Sequence, residues 1–168
     1  MFPDFALRNA PLTGFLCAVL KLRWFAKYWL PVLAWMALIF SVSGDSKSAH
    51  RSSRLIEPFV RWLFPDVGDE TVWTVVLVVR KCAHLTEYAV LALLLWRALR
   101  ELTGGVGWSW RVARNAWVCV IVYAITDEIH QTFVPNRQGS VWDVLIDSIG
   151  GAAGLLALWA LGRWRKWW

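Results

Sequence analysis

Three short runs hold most of the residues in this chain that could do chemistry. Arg80, Lys81, His84, Glu87 and Tyr88 form the first, Asp127, Glu128, His130, Gln131 and Arg137 the second, and Ser140, Asp143 and Asp147 the third. Five carboxylates stand against three fixed cations, with His84 and His130 able to act as donor or acceptor. With the imidazoles neutral the set is two charges negative, so one or two acids must carry protons or meet a cationic ligand. Arg80, Lys81 and Arg137 suit an anionic group, while the acids and histidines suit hydroxyls or amines. Asp127, Glu128, His130 and His84 are also the candidates for general acid–base catalysis. His130 with Asp127 and His84 with Glu87 lie three residues apart, so two helices could each supply a pair of metal ligands. Lys81 and Arg137 oppose a cation there, and no metal is assigned. Ser140 and Thr132 lack an evident base partner, no phosphate-cradling loop or hydrolase elbow is present, and no cofactor is signalled.

Plainer readings exist for each group. His84 could be a hydrogen-bonded core residue, Lys81 could snorkel outward, and Asp147 could bridge helices through a Ser or Tyr hydroxyl. Asp127, Glu128, His130 and Gln131 within about one turn are harder to explain as packing alone.

Helices must position these groups. Ser140, Asp143, Asp147, Gly150 and Gly154 recur at steps of 3, 4, 3 and 4, which places them on one helical face. Carboxylates at its start face other protein, and the glycines deeper in let a neighbouring backbone approach. Lys81, His84 and Tyr88 share a face in the same way, with Glu87 adjacent. The 168 residues are 58% hydrophobic and 18% charged, with a mean hydropathy of +0.45. That balance, with fourteen Trp, nine of them close to the ends of candidate spans, indicates a bilayer protein. Four spans are expected, near 24–43, 80–99, 112–131 and 141–161, giving an all-α membrane bundle. Pro31 lies early enough in the first span to be tolerated there. Residues 1–23 read as an interfacial segment on the cytoplasmic side, 55–64 as a short amphipathic helix, and 162–168 as a basic, aromatic tail. In 71–99 the apolar run is too long to cross simply, about 43 Å against a core of about 30 Å, so 71–79 is expected outside or at the interface.

Basic residues cluster beside the apolar runs as topology signals do, which argues against nucleic acid as a partner despite the net charge of +6. Arg8, Lys21, Arg23, Lys27, Arg97, Arg100, Arg111, Arg114, Arg163, Arg165 and Lys166 favour both termini in the cytoplasm, against Lys47, Arg51, Arg54, Arg61 and Arg137 outside. The polar ends of the second, third and fourth spans then meet on the outer side. Cys17, Cys82 and Cys119 are unpatterned and read as small buried hydrophobes, neither a disulfide framework nor a zinc site.

The runs R-K-x-x-H-x-x-E-Y (Arg80 to Tyr88), D-E-I-H-Q-T-F-V-P-x-R-x-G-S (Asp127 to Ser140) and D-V-L-I-D-S-x-G-x-x-x-G (Asp143 to Gly154) resemble the VanZ-like membrane proteins. The serine-rich F-S-V-S-G-D-S-K-S at the end of the first span is similar too, and the likeness covers roughly residues 29–160. Asn136 stands where the family commonly has Gly, and Asn also tolerates a left-handed turn. The resemblance implies a multi-pass protein of the bacterial inner membrane, and the family's namesake is associated with resistance to teicoplanin-type glycopeptide antibiotics. The expectation is an extracytoplasmic pocket that binds a lipid-linked or cell-wall-related molecule. The alternatives are a membrane enzyme acting on a lipid head group by acid–base or metal-assisted chemistry, and a scaffold whose polar cluster only locks helices together. No feature sets an oligomeric state.

Overall fold

The computed structural model describes residues 12–44, 48–135 and 137–168, and the side chains of 17–44, 52–135 and 137–168. Of the interfacial segment expected at residues 1–23, residues 1–11 lie outside the described residues, as does the turn at Asn136, while 12–23 are helical. Among those described, the chain is six helices and no strand: α1 (Leu12–Tyr28), α2 (Leu30–Ser43), α3 (Ser48–Leu63), α4 (Asp69–Leu102), α5 (Trp110–Gln131) and α6 (Val141–Trp164). Helices α4, α5 and α6 form the centre, α2 packs across α4 and α5, α3 lies on α4, and α1 touches α2 and α4.

The first apolar segment is not one straight helix, as the sequence reading had it. It breaks at Trp29, and the two pieces meet at a 42° bend. Pro31, at the start of α2, has no N–H to give the carbonyl of Lys27, and its ring crowds that turn. Beyond the bend, Trp35 Nε1 donates to the Glu87 carbonyl (2.9 Å) and Tyr123 Oη to the Met36 carbonyl (2.5 Å), tying α2 to α4 and α5.

The run expected to leave or skirt the bilayer near 71–79 is continuous with the second span in α4, a helix of 34 residues. Asp69 and Glu70 in its first turn and Arg100 in its last complement the helix dipole. Arg61 of α3 donates to Glu57 (3.0 Å) and to Asp69 (2.5 Å), so α3 is tethered to the start of α4. The amphipathic helix reaches back to Ser48, further than residues 55–64, and leaves Leu55, Phe59 and Leu63 exposed as an apolar face.

Ser109 caps α5 through its hydroxyl, accepting from Val112 N–H at 3.5 Å. The buried stripe of α5 runs Ala113, Ala116, Val120, Ala124 and then turns polar at Asp127, Glu128 and Gln131. Small residues let α4 and α6 close on it. A Cβ on Gly150 would overlap the Leu85 carbonyl, and one on Gly154 would stand 2.9 Å from the Ala89 carbonyl. At the far end of α6 the chain reverses in a Schellman motif. Lys166 adopts φ 54°, Trp167 N–H bonds the Gly162 carbonyl (2.9 Å) and Lys166 N–H that of Arg163 (3.3 Å). This lays Trp168 over Gly162 and against Trp96 and Trp108, so the end of the basic, aromatic segment packs on the bundle.

Among the described residues α6 is the one helix long and apolar enough to cross a membrane by itself, and Cys17–Tyr28 with Leu30–Ser43 qualify as a bent pair, fewer than the four spans expected. Cys17, Cys82 and Cys119 are exposed, contrary to their reading as buried residues. The helices are apolar on their outer as well as inner faces, so an apolar neighbourhood in sequence did not imply an interior position.

Candidate functional site

The polar end of α5 is the hub. Its last turns are buried by α2, α4 and α6, and Asp127 (1% exposed) and Glu128 (5%) point into protein. Asp127 Oδ2 accepts three donors: Ser43 Oγ from α2 at 2.7 Å, Gln131 Nε2 at 3.2 Å and Tyr88 Oη from α4 at 3.4 Å. Its Oδ1 is buried with no hydrogen-bond partner. Glu128 is satisfied at both oxygens, by Gln131 Nε2 (2.9 Å) and by the Ser140 backbone N–H (2.8 Å). Arg137 donates to Gln131 Oε1 at 3.1 Å, which orients the amide that serves both acids. Gly139 allows this closure, since a Cβ there would stand 2.5 Å from the Glu128 carbonyl.

Facing α6, the α4 stripe meets its counterpart in register. Lys81 pairs with Asp143, and one turn deeper His84 Nδ1 stands 3.5 Å from Asp147 Oδ1. That second contact has ion-pair separation without hydrogen-bond geometry: His84 Nδ1 and both oxygens of Asp147 are buried and make no hydrogen bond. Asp147 is 0% exposed. A buried carboxylate without hydrogen bonds is costly unless it is protonated or paired, and His84, 3.5 Å away, is the partner this position has.

The expected residues thus converge, in different ways. Tyr88, Asp127, Glu128, Gln131 and Arg137 form one bonded network, and Lys81, His84, Asp143 and Asp147 form the adjoining ladder. Ser140 contributes its backbone N–H as the first residue before α6. Arg80 is partly buried within electrostatic reach of Asp143 and Arg137. Glu87 is engaged through its carbonyl by Trp35. His130 turns toward α2, stacked on Phe40 with ring centroids 3.8 Å apart, and its Nδ1 is buried without a partner. No group of three or more His, Cys, Asp or Glu placed to hold a metal occurs among the described residues.

Ser43 is the site residue that sequence reasoning missed. It closes α2 inside the serine-rich run that carried part of the family likeness, but nothing local says that its hydroxyl meets an acid 84 residues away. A large groove lies elsewhere, about 960 Å³ between α3 and the first turns of α4, lined by apolar side chains such as Phe59, Val60, Val75 and Val79. It contains none of the site's acids or histidines. The buried carboxylate and imidazole atoms without hydrogen bonds are at the junction of α4, α5 and α6 instead.

The described residues thus form a helical bundle with apolar side chains exposed on its outside and polar groups buried at one end of its core. The VanZ/LLP1 family model matches residues 28–162, and the chain belongs to that family. Comparison with curated proteins and with solved structures returned no match. Family membership and the apolar α6 point to the membrane.

Proposed function

We propose that the chain is a four-span protein of the bacterial inner membrane whose polar site engages the head group of a lipid-linked or cell-wall-related molecule. The spans are the α1–α2 pair, the C-terminal two thirds of α4, α5, and α6, with both termini in the cytoplasm and the site toward the outside. The exterior supports crossing. Large apolar side chains are exposed on α2, α5 and α6, among them Leu38 and Phe40 on α2, Val122 and Ile129 on α5, and Ile149 and Leu156 on α6, while the corresponding part of α4 lies at the centre of the bundle. The observation that carries the binding role is Asp147, fully buried between helices with no hydrogen bond to either oxygen and with only His84 Nδ1, 3.5 Å away, beside it. Helix packing alone has no use for such a carboxylate. Arg80, Lys81 and Arg137 hold the anionic part of the ligand, and the acids and histidines order the rest. Binding an envelope precursor in this way would alter susceptibility to teicoplanin-type glycopeptides.

The purified protein should carry lipid through size exclusion, read by native mass spectrometry, and deletion of the chain should change glycopeptide susceptibility. Absence of both effects removes the proposal. The enzyme alternative has one observation in its favour, the 2.7 Å bond between Ser43 Oγ and Asp127, which pairs a hydroxyl with a buried carboxylate. Turnover of a bound lipid that disappears in Ser43→Ala would favour it over simple binding.

A further inference from the structure

We infer that the head group taken at this site is zwitterionic, a phosphate joined by a short linker to a primary ammonium, with the phosphate at a basic mouth and the ammonium against the acids beneath. This rests on the reading of the site as one for an amphiphile's head group, and names its chemical class.

Charge is sorted by depth. The Lys81 side chain is 44% exposed, and Arg80 and Arg137 are partly buried. Beneath them Asp127, Glu128 and Asp147 are all buried, and no lysine or arginine is buried among the described residues. Asp143, with its side chain 22% exposed, stands between the layers and pairs with Lys81.

The buried acids differ in what satisfies them. Glu128 has a donor on each oxygen and Asp127 has donors on Oδ2 only. Asp147 has none. Three acceptor oxygens therefore make no hydrogen bond, Asp147 Oδ1 having only its 3.5 Å contact with His84 Nδ1, and they lie on two carboxylates within electrostatic reach of one another and of Tyr88. The complement of such a set is a cation that also donates hydrogen bonds. A primary ammonium brings positive charge and three N–H donors, whereas a quaternary ammonium brings charge without donors and a glycerol head group brings donors without charge. A phosphate cannot reach this depth without meeting three buried carboxylates, so it belongs at the mouth, where arginine and lysine suit it. The ladder from Lys81–Asp143 to His84–Asp147 spans one helical turn, roughly the length of a phosphoethanolamine unit.

The test is competition among three phospholipids that share a phosphate. Full-length protein in nanodiscs of equal phosphatidylethanolamine, phosphatidylcholine and phosphatidylglycerol is re-extracted, and retained lipid is quantified by mass spectrometry. Phosphatidylethanolamine should be enriched about tenfold over each of the others, the effect of a charge-assisted hydrogen bond. Asp147→Asn should bring that ratio toward one, and Arg80→Gln should lower retention of all three together. Lipid retained without head-group preference, or with preference for phosphatidylglycerol, overturns the inference and leaves the lipid-binding reading standing. Stabilisation by soluble phosphoethanolamine with no retained lipid supports the head-group chemistry and moves its source to a solute. Retention of no lipid and no response to the soluble compound sinks both readings. Should Asp147→Asn fail to fold, the three-lipid comparison on the unaltered chain decides alone.

Discussion

At the scale of single residues, two aspartates set the behaviour of the site. Asp127 Oδ2 gathers donors from α2, α4 and its own helix, so it is a structural anchor. Ser43→Ala removes the shortest of these bonds and should lower stability by about 1–3 kcal/mol, the usual cost of losing a hydrogen bond to a charged group. Thermal unfolding in detergent measures it. If Ser43 only anchors, lipid retention should be unchanged in that variant. Asp147 has the opposite character. It accepts no hydrogen bond and faces only His84 at 3.5 Å, so Asp147→Asn relieves the burial of a charge at the expense of that one contact and should change stability little, while weakening ligand retention. A large loss of stability with unchanged retention would show that Asp147 serves packing.

Among elements, the α4–α6 contact holds the site together. Gly150 and Gly154 lie against the backbone of Leu85 and Ala89, within a turn or two of His84, Tyr88 and Asp147. Gly150→Ala must push the helices apart at this point, because the obstacle is a carbonyl and cannot rotate away. It should destabilise by about 1–3 kcal/mol and separate His84 from Asp147. Spin-label distances across α4 and α6 would show the displacement, and an unchanged distance would contradict it. The bend at Trp29 acts at the same scale, since it aims α2 so that Ser43, at its end, reaches Asp127.

For the whole molecule, the exposed cysteines provide a test of membrane topology. Cys119 lies mid-way along α5 with its side chain outward, where a bilayer-crossing helix would contact lipid. In sealed vesicles it should resist a charged maleimide and react once the protein is denatured. Ready labelling in intact vesicles would exclude α5 from the bilayer interior. At the opposite end from the site, Trp168 closes the bundle over Gly162. Gly162→Ala should displace that ring and lower the unfolding temperature without affecting lipid retention, since the site and this cap share no residue.

The sequence by itself determined that the chain is helical and apolar, which residues share a face in each segment, and which family carries these runs. Helical periodicity and composition act over a few residues, so Lys81, His84 and Tyr88 could be put on one stripe and Asp143, Asp147 and Gly150 on another. Only the tertiary structure decided the pairings: Lys81 with Asp143, His84 beside Asp147, Ser43 on Asp127, and His130 turned away onto Phe40. It also put the cysteines outside and bent the first apolar segment. In helices that are apolar all round, hydrophobicity does not mark which side faces protein. That choice came from glycine contacts and buried hydrogen bonds, which join residues far apart in the chain.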